Sequence, residues 1–200
     1  MRRAALLMAV MLLGLAGCAV QPPAPDAVGD WQAINAWQAP AAPAHWRLEG
    51  RVSLRIDNRA ATAGIRWRET GSGYRIDLRG ALGAGRLRVL GTGAGVTLIT
   101  ADGKRHEADS PAELVRAVTG YELPVAFLRW WVVGQPVPWL PGRVRADNAG
   151  RASQLEQAGW QIRYGDGVVA DGYPLPGRIE VRRDGVAVRV AVRDWISLPE

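Results

Sequence analysis

From Trp46 onward, apolar and polar residues alternate with a period of two. Leu48, Val52, Leu54 and Ile56 share one phase, and Arg47, Glu49, Arg51, Ser53 and Arg55 take the other. Such a segment is a strand with one apolar face and one wet face. The pattern recurs. Ala61, Ala63, Ile65 and Trp67 alternate with Arg66 and Arg68; Tyr74, Ile76 and Leu78 with Arg75, Asp77 and Arg79; Leu87 and Val89 with Arg86 and Arg88. Val96 and Leu98 follow, ahead of a hairpin pair at Asp102-Gly103. Near the C-terminus the same alternation carries Trp160, Ile162 and Tyr164, then Ile179 and Val181, then Val186, Val188, Val190 and Val192. Short strands with regular turns predict an antiparallel meander, curled into a barrel or half-barrel.

Three stretches depart from that period. Trp31, Ile34 and Trp37 stand at helical spacing and predict a short helix over 30–38, stopped by the run APAAPA. Ser110-Pro-Ala-Glu113 is an N-cap serine, a proline at N1 and a glutamate at N3. It opens a helix whose stripe is Leu114, Val115 and Val118, with Gly120 as its C-terminal cap. A second helix is expected from Pro124 to Val133, ending at Gly134 and apolar nearly all round. The following QPVPWLPG suits neither a helix nor a central strand.

The first residues are of another kind. Arg2 and Arg3 precede an apolar run, Ala4 to Ala16, too short for the ~20 residues a membrane span requires. It ends in Leu15-Ala16-Gly17-Cys18, which resembles a bacterial lipobox, with Cys18 as the acylated first residue of the mature chain. Cys18 is the only cysteine, so it has no disulfide partner within the chain. Residues 1–17 are therefore expected to be a signal peptide, 18–29 a lipidated Pro/Ala-rich tether, and 30–200 one domain. Ala19, rather than aspartate, follows the cysteine; by the lipoprotein sorting rule this implies the outer membrane. The net charge of +6 falls to +4 without Arg2 and Arg3, and Lys104 is the single lysine. For an exported, anchored chain this basicity points to anionic headgroups or an acidic partner rather than to nucleic acid.

Convergent reactive chemistry is scarce. The two histidines, His45 and His106, lie in unrelated contexts, and neither metal-ligand spacing nor a G-x-S-x-G elbow occurs. Gly165-Asp-Gly-Val-Val-Ala170 matches a dinucleotide pattern in form, but Asp171-Gly172-Tyr173-Pro174 stands where a helix must begin, so it is a hairpin loop. Neither an enzyme nor a cofactor is expected. Two readings of the apolar sheet face remain open. It is either a filled core under helices, or the wall of a cavity able to hold acyl chains with the helices as lid. The cavity would be lined by Leu54, Ile65, Trp67, Ile76, Leu78, Leu87, Val89, Leu98, Leu114, Val118, Phe127, Leu128 and Trp131, with Trp130 as a further rigid wall.

The order and spacing of "LAGC", "IRWRETGSGYRIDLRGALGAGRLRVLG", "GVTLITADGKRHEADSPAELVRAVTGYELPVAFLRWWVVGQPVP", "LEQAGWQIRYG" and "VAVRVAVRDWISL" resemble the LolB family. The resemblance implies a mainly β fold: an incomplete antiparallel barrel of about eleven strands, covered by helices and enclosing a hydrophobic cavity. It implies an outer-membrane lipoprotein facing the periplasm, which takes acylated lipoproteins from a soluble periplasmic carrier and delivers them to the membrane's inner leaflet. A protruding loop leucine serves delivery in that family. The matching position is Leu82, where Ala81 replaces the usual proline. Arg79 and Arg86 flank that loop; where the loop touches lipid, they are expected to meet phosphate headgroups. The domain is expected to act as a monomer. The alternative function is a structural scaffold of an outer-membrane complex, its core filled.

Overall fold

The computed structural model describes residues 29–80, 85–119, 121 and 123–198. Cys18, Leu82 and Gly120 lie outside them, as does the side chain of Val118. In chain order the elements are β1 (Gln32–Ala33), a 3-10 turn (Ile34–Ala36), β2 (Trp46–Ile56), β3 (Arg59–Glu69), β4 (Gly73–Arg79), β5 (Arg86–Thr92), β6 (Gly95–Ile99), β7 (Arg105–Ala108), α1 (Pro111–Thr119), α2 (Val125–Trp131), β8 (Gly142–Ala146), β9 (Ala152–Gln157), β10 (Trp160–Gly165), β11 (Val168–Ala170), β12 (Tyr173–Leu175), β13 (Arg178–Arg183) and β14 (Val186–Ser197).

Twelve of the strands form one antiparallel sheet in the order β1-β8-β9-β10-β13-β14-β2-β3-β4-β5-β6-β7, and β11-β12 form a separate ribbon. The sheet is open, with β1 and β7 as its two edges, and its twelve strands stand beside the expected number of about eleven. Two meanders meet where β14 pairs with β2 over their full lengths, from Val186 opposite Ile56 to Ser197 opposite Trp46. The α1–α2 segment is inserted between the two meanders in sequence. No described helix is long and apolar enough to cross a membrane.

The helix expected over 30–38 is not present. Gln32–Ala33 pairs with β8, and Ile34–Ala36 makes a single 3-10 turn. Its aromatic residues answer to separate tertiary partners instead of one helical face. Arg143 and Arg145 lie over the Trp31 ring at 4.7 and 5.5 Å, and the Trp37 indole N–H donates to Gly150 O at 3.1 Å. So short a segment has little intrinsic helicity to set against such contacts. The other two helices form where expected. Ser110 Oγ accepts from the Glu113 amide at 3.2 Å, and α2 ends at Trp131 in a turn that closes at Gly134, whose φ is +78° and whose amide donates to Trp131 O at 3.1 Å.

Burial along the inner face is uneven. Val144, Leu155, Ile162, Ile179 and Val181 are sealed beneath Trp131, Val132 and Val137. At one end of the sheet Trp46 packs on Trp67 and Trp195, with ring centroids 5.2 and 5.3 Å apart. Leu54, Leu78, Leu87 and Val89 share the same inward phase but are only half-buried. The clusters draw only on residues between Ile34 and Trp195, so the described domain carries its own core.

The outer face is tied by ion pairs within and across its strands. Glu49 meets Arg66 and Arg193, both at 2.8 Å, and Asp77 meets Arg75 and Arg88, both at 2.7 Å. The Arg66 hydrogen bond outweighs partial desolvation and, with the charges of Arg193 and Arg47, holds Glu49 below its ordinary pKa. Such exposed pairs contribute at most about 1 kcal/mol each and set register more than stability.

Candidate functional site

The half-buried part of the inner face borders an apolar pocket of about 250 Å³. Strands β2 to β6 form its floor, and Val188 and Val190 of β14 extend it. Helix α1 contributes Pro111, Leu114 and Val115; α2 and its flanks contribute Leu123, Val125, Leu128 and Val132. The floor and the α1 wall follow from local sequence. Period-two strands turn every second residue inward, and the capped α1 lays Leu114 onto Val96 and Leu98. Among the described residues of the lining, Thr62 carries the only hydroxyl and none is charged.

Ten of the expected cavity residues meet at this pocket: Leu54, Ile65, Trp67, Ile76, Leu78, Leu87, Val89, Leu98, Leu114 and Leu128. Phe127 and Trp131 are not among its walls. Trp131 is wholly buried, its ring 5.5 Å from Phe127, and its indole N–H donates to Gln157 Oε1 at 3.0 Å. Trp130 meets the exposed Trp139 edge-on at 5.9 Å. A helix apolar nearly all round presents no clear phase from which to choose its inward face. Val52, Ala61, Ala63, Val188 and Val190 also line the pocket. Their alternation marks them as inward, but the pairing of β14 with β2 that brings the valines there is not written in any local pattern.

Two polar side chains on the inward phase hold α2 and the segment after it in place. Gln157 is two residues beyond Leu155, on the same face, and only 2% exposed. Its Oε1 accepts from Trp131 Nε1 and, at 2.8 Å, from the Val137 amide; its Nε2 donates to Val137 O at 2.9 Å and Leu140 O at 2.8 Å. All of the amide's hydrogen-bonding groups are used, and the segment after α2 is fixed to β9. Glu69, two residues beyond Trp67, is equally buried and receives Arg129 of α2 at 2.7 Å. In both cases a polar residue on an apolar phase is the sequence signal for the tie.

Burial pushes the Glu69 carboxyl above its ordinary value, against the opposing charge of Arg129. Burial likewise raises the Tyr74 hydroxyl to about 12, with Glu69 adding to the effect. A carboxyl whose folded pKa is raised keeps its proton in a pH range where the unfolded chain has lost it, so stability falls as pH climbs through that range. The wild-type unfolding midpoint should therefore decline through the interval just above pH 4.5, and Glu69→Gln should remove that decline. Urea titrations of both proteins across pH 4–8 measure the difference; parallel profiles would show that Glu69 is not the titrating group.

Among the described residues the pocket walls contain no titratable side chain. Among the described residues no three of His, Cys, Asp and Glu gather as a metal site. What the arrangement can do is shelter an apolar chain from water. The family described as "Outer membrane lipoprotein LolB" matches residues 44–195. The chain belongs to the LolB family. Relatives named outer-membrane lipoprotein LolB include that of Alkalilimnicola ehrlichii, 40% identical over the whole of both chains. That of Halorhodospira halophila is 36% identical over 92% of this chain and 90% of its own. That of Chromohalobacter salexigens is 36% identical over 96% and 89%. A solved LolA superfamily protein of Nitrosomonas europaea superposes with a TM-score of 0.47 at 11% identity, covering 77% of this chain and 87% of its own. LolB membership places the chain with outer-membrane lipoproteins of lipoprotein localisation and transport, not with a known class of enzyme.

Proposed function

We propose that this LolB-family chain is itself anchored in the outer membrane through an acylated Cys18, after removal of residues 1–17. It faces the periplasm, takes acylated lipoproteins from a soluble carrier and passes their acyl chains to the membrane. The observation that carries this reading is the pocket: an apolar recess between sheet and helices, uncharged among its described residues and walled in part by half-buried ones. Residues 30–200 act as one half-barrel receptor, with 18–29 as tether.

The energetics favour a direct handover. Each methylene removed from water contributes about 0.8 kcal/mol, so a three-chain anchor represents tens of kcal/mol. Release into water is excluded on that scale. With no nucleotide site in the reading, the acyl chains pass from one apolar enclosure to the next, each somewhat more favourable than the last. At about 250 Å³ the pocket is smaller than most small-molecule sites, which run from roughly 300 to 1,000 Å³. Helix α2 therefore shifts to admit the anchor, its ends released at the Glu69–Arg129 and Gln157 ties.

Leu82, outside the described residues, is the membrane-touching residue in this reading; burying one leucine gains roughly 1.5–3 kcal/mol. The test separates receipt from delivery. A hydrophobic fluorophore bound by the protein should be displaced by acylated lipoprotein and not by its unacylated form. Leu82→Glu should leave that displacement intact while lowering transfer to vesicles about tenfold or more. Displacement by neither form would refute the receptor reading, and undiminished transfer by Leu82→Glu would refute the loop assignment.

A further inference from the structure

Two neighbouring cross-strand rows on the outer face differ sharply in charge. The first runs Glu49, Arg66, Asp77, Arg88 over β2 to β5, so its signs alternate and its members pair. Two residues nearer the 80–85 hairpin, the same four strands place Arg51, Gly64, Arg79 and Arg86 in register. Arg51, Arg79 and Arg86 are exposed, and none has an ion pair among the described residues. Arg79 and Arg86 are direct partners across the strands, an arrangement that is destabilising for like charges. Gly64 leaves open the space between Arg51 and Arg79, some 10 Å apart at two strand spacings. The Gly80 amide donates to Gly85 O at 2.8 Å, which fixes the hairpin base carrying two of the arginines.

We propose that this row binds the headgroup phosphates of anionic phospholipids, with Arg51, Arg79 and Arg86 as the donors and Gly64 as the floor between them. The inference rests on the reading that the 80–85 side meets the membrane. It adds that the contact selects lipid by charge. A guanidinium offers a fork of N–H donors matched to phosphate oxygens. An anion between Arg79 and Arg86 relieves the repulsion that the empty row sustains. The alternating row beside it, its charges already satisfied, has no such capacity.

The experiment uses the polypeptide from residue 19 onward, which lacks the acylation site, and co-sedimentation with phosphatidylcholine vesicles with and without phosphatidylglycerol. Wild type should bind the anionic vesicles preferentially, and added salt should weaken the binding. R51Q/R79Q/R86Q should lower partitioning onto them about 100-fold, at roughly fivefold per arginine. R66Q/R88Q/R189Q removes the same charge elsewhere and should lower it by less than about tenfold. Equal losses would assign binding to net charge and overturn the proposal, as would equal binding of wild type to both vesicle types. Loss of docking to an acidic carrier, with vesicle binding unchanged, would overturn it in favour of a protein partner. R79Q alone should melt no lower than wild type, because it removes a like-charge contact, and it repeats the vesicle test if the triple variant fails to fold. Fluorophore displacement by acylated lipoprotein should persist in R79Q. If wild type binds anionic vesicles but never acylated lipoprotein, the receptor reading fails and the phosphate row stands.

Discussion

Gln157→Leu is expected to destabilise the domain by about 4 kcal/mol, read as a drop of roughly 10 °C in the unfolding midpoint. The side chain is almost the size of the one it replaces, so lost volume is not the cause. Leucine cannot bond the Trp131 indole N–H, the Val137 amide and carbonyl or the Leu140 carbonyl, and Trp131 and Val137 are wholly buried. Each buried group left without a partner costs about 1–3 kcal/mol, less whatever water recovers. Gln161→Leu, on an exposed position of the next strand, should stay within about 0.5 kcal/mol of wild type. A loss below about 1 kcal/mol for Gln157→Leu would mean that the segment after α2 opens to water at little cost. The hub would then be no anchor.

Leu54→Trp is expected to abolish pocket binding while leaving the fold intact. Leu54 faces inward but is half-buried, between Ala61 and Val188 on the adjacent strands. An indole there extends into open space, so the strain should stay below about 1.5 kcal/mol. Hydrophobic fluorophore affinity should fall at least about tenfold, since the ring system takes much of a recess of only about 250 Å³. A filled core predicts the opposite: overpacking by about 1–3 kcal/mol and no fluorophore binding to lose. Paired measurements of unfolding midpoint and dye affinity therefore decide between the receptor and the scaffold.

Much of this organisation is legible in the chain. The alternation of Leu48 to Ile56 or Ile179 to Val181 fixes which residues face inward, because side chains on a strand can point only two ways. The Ser110 cap and Gly134 bracket the helices through local backbone chemistry. Phase does not determine partners. The pairing of β14 with β2 and of β1 with β8 joins residues over a hundred positions apart, and neither segment marks its neighbour. The same limit explains the helix expected at Trp31 to Trp37, whose rings serve Arg143 and Gly150. It also explains Trp131, in a helix whose nearly all-round apolarity hides its orientation. Glu69 and Gln157 were visible as polar residues on apolar phases, but only their distant partners show that each is a tie.

The unequal burial of the inner face has a thermodynamic consequence. Half-buried Leu54, Leu78, Leu87 and Val89 keep apolar area in contact with water, and each square ångström covered is worth roughly 25 cal/mol. Whatever enters the recess completes a core that the polypeptide leaves unfinished, so the occupied molecule is the more stable of the two by mass action. On the proposed function, emptying it is a small act of unfolding, and the membrane that takes the departing acyl chains must compensate for it.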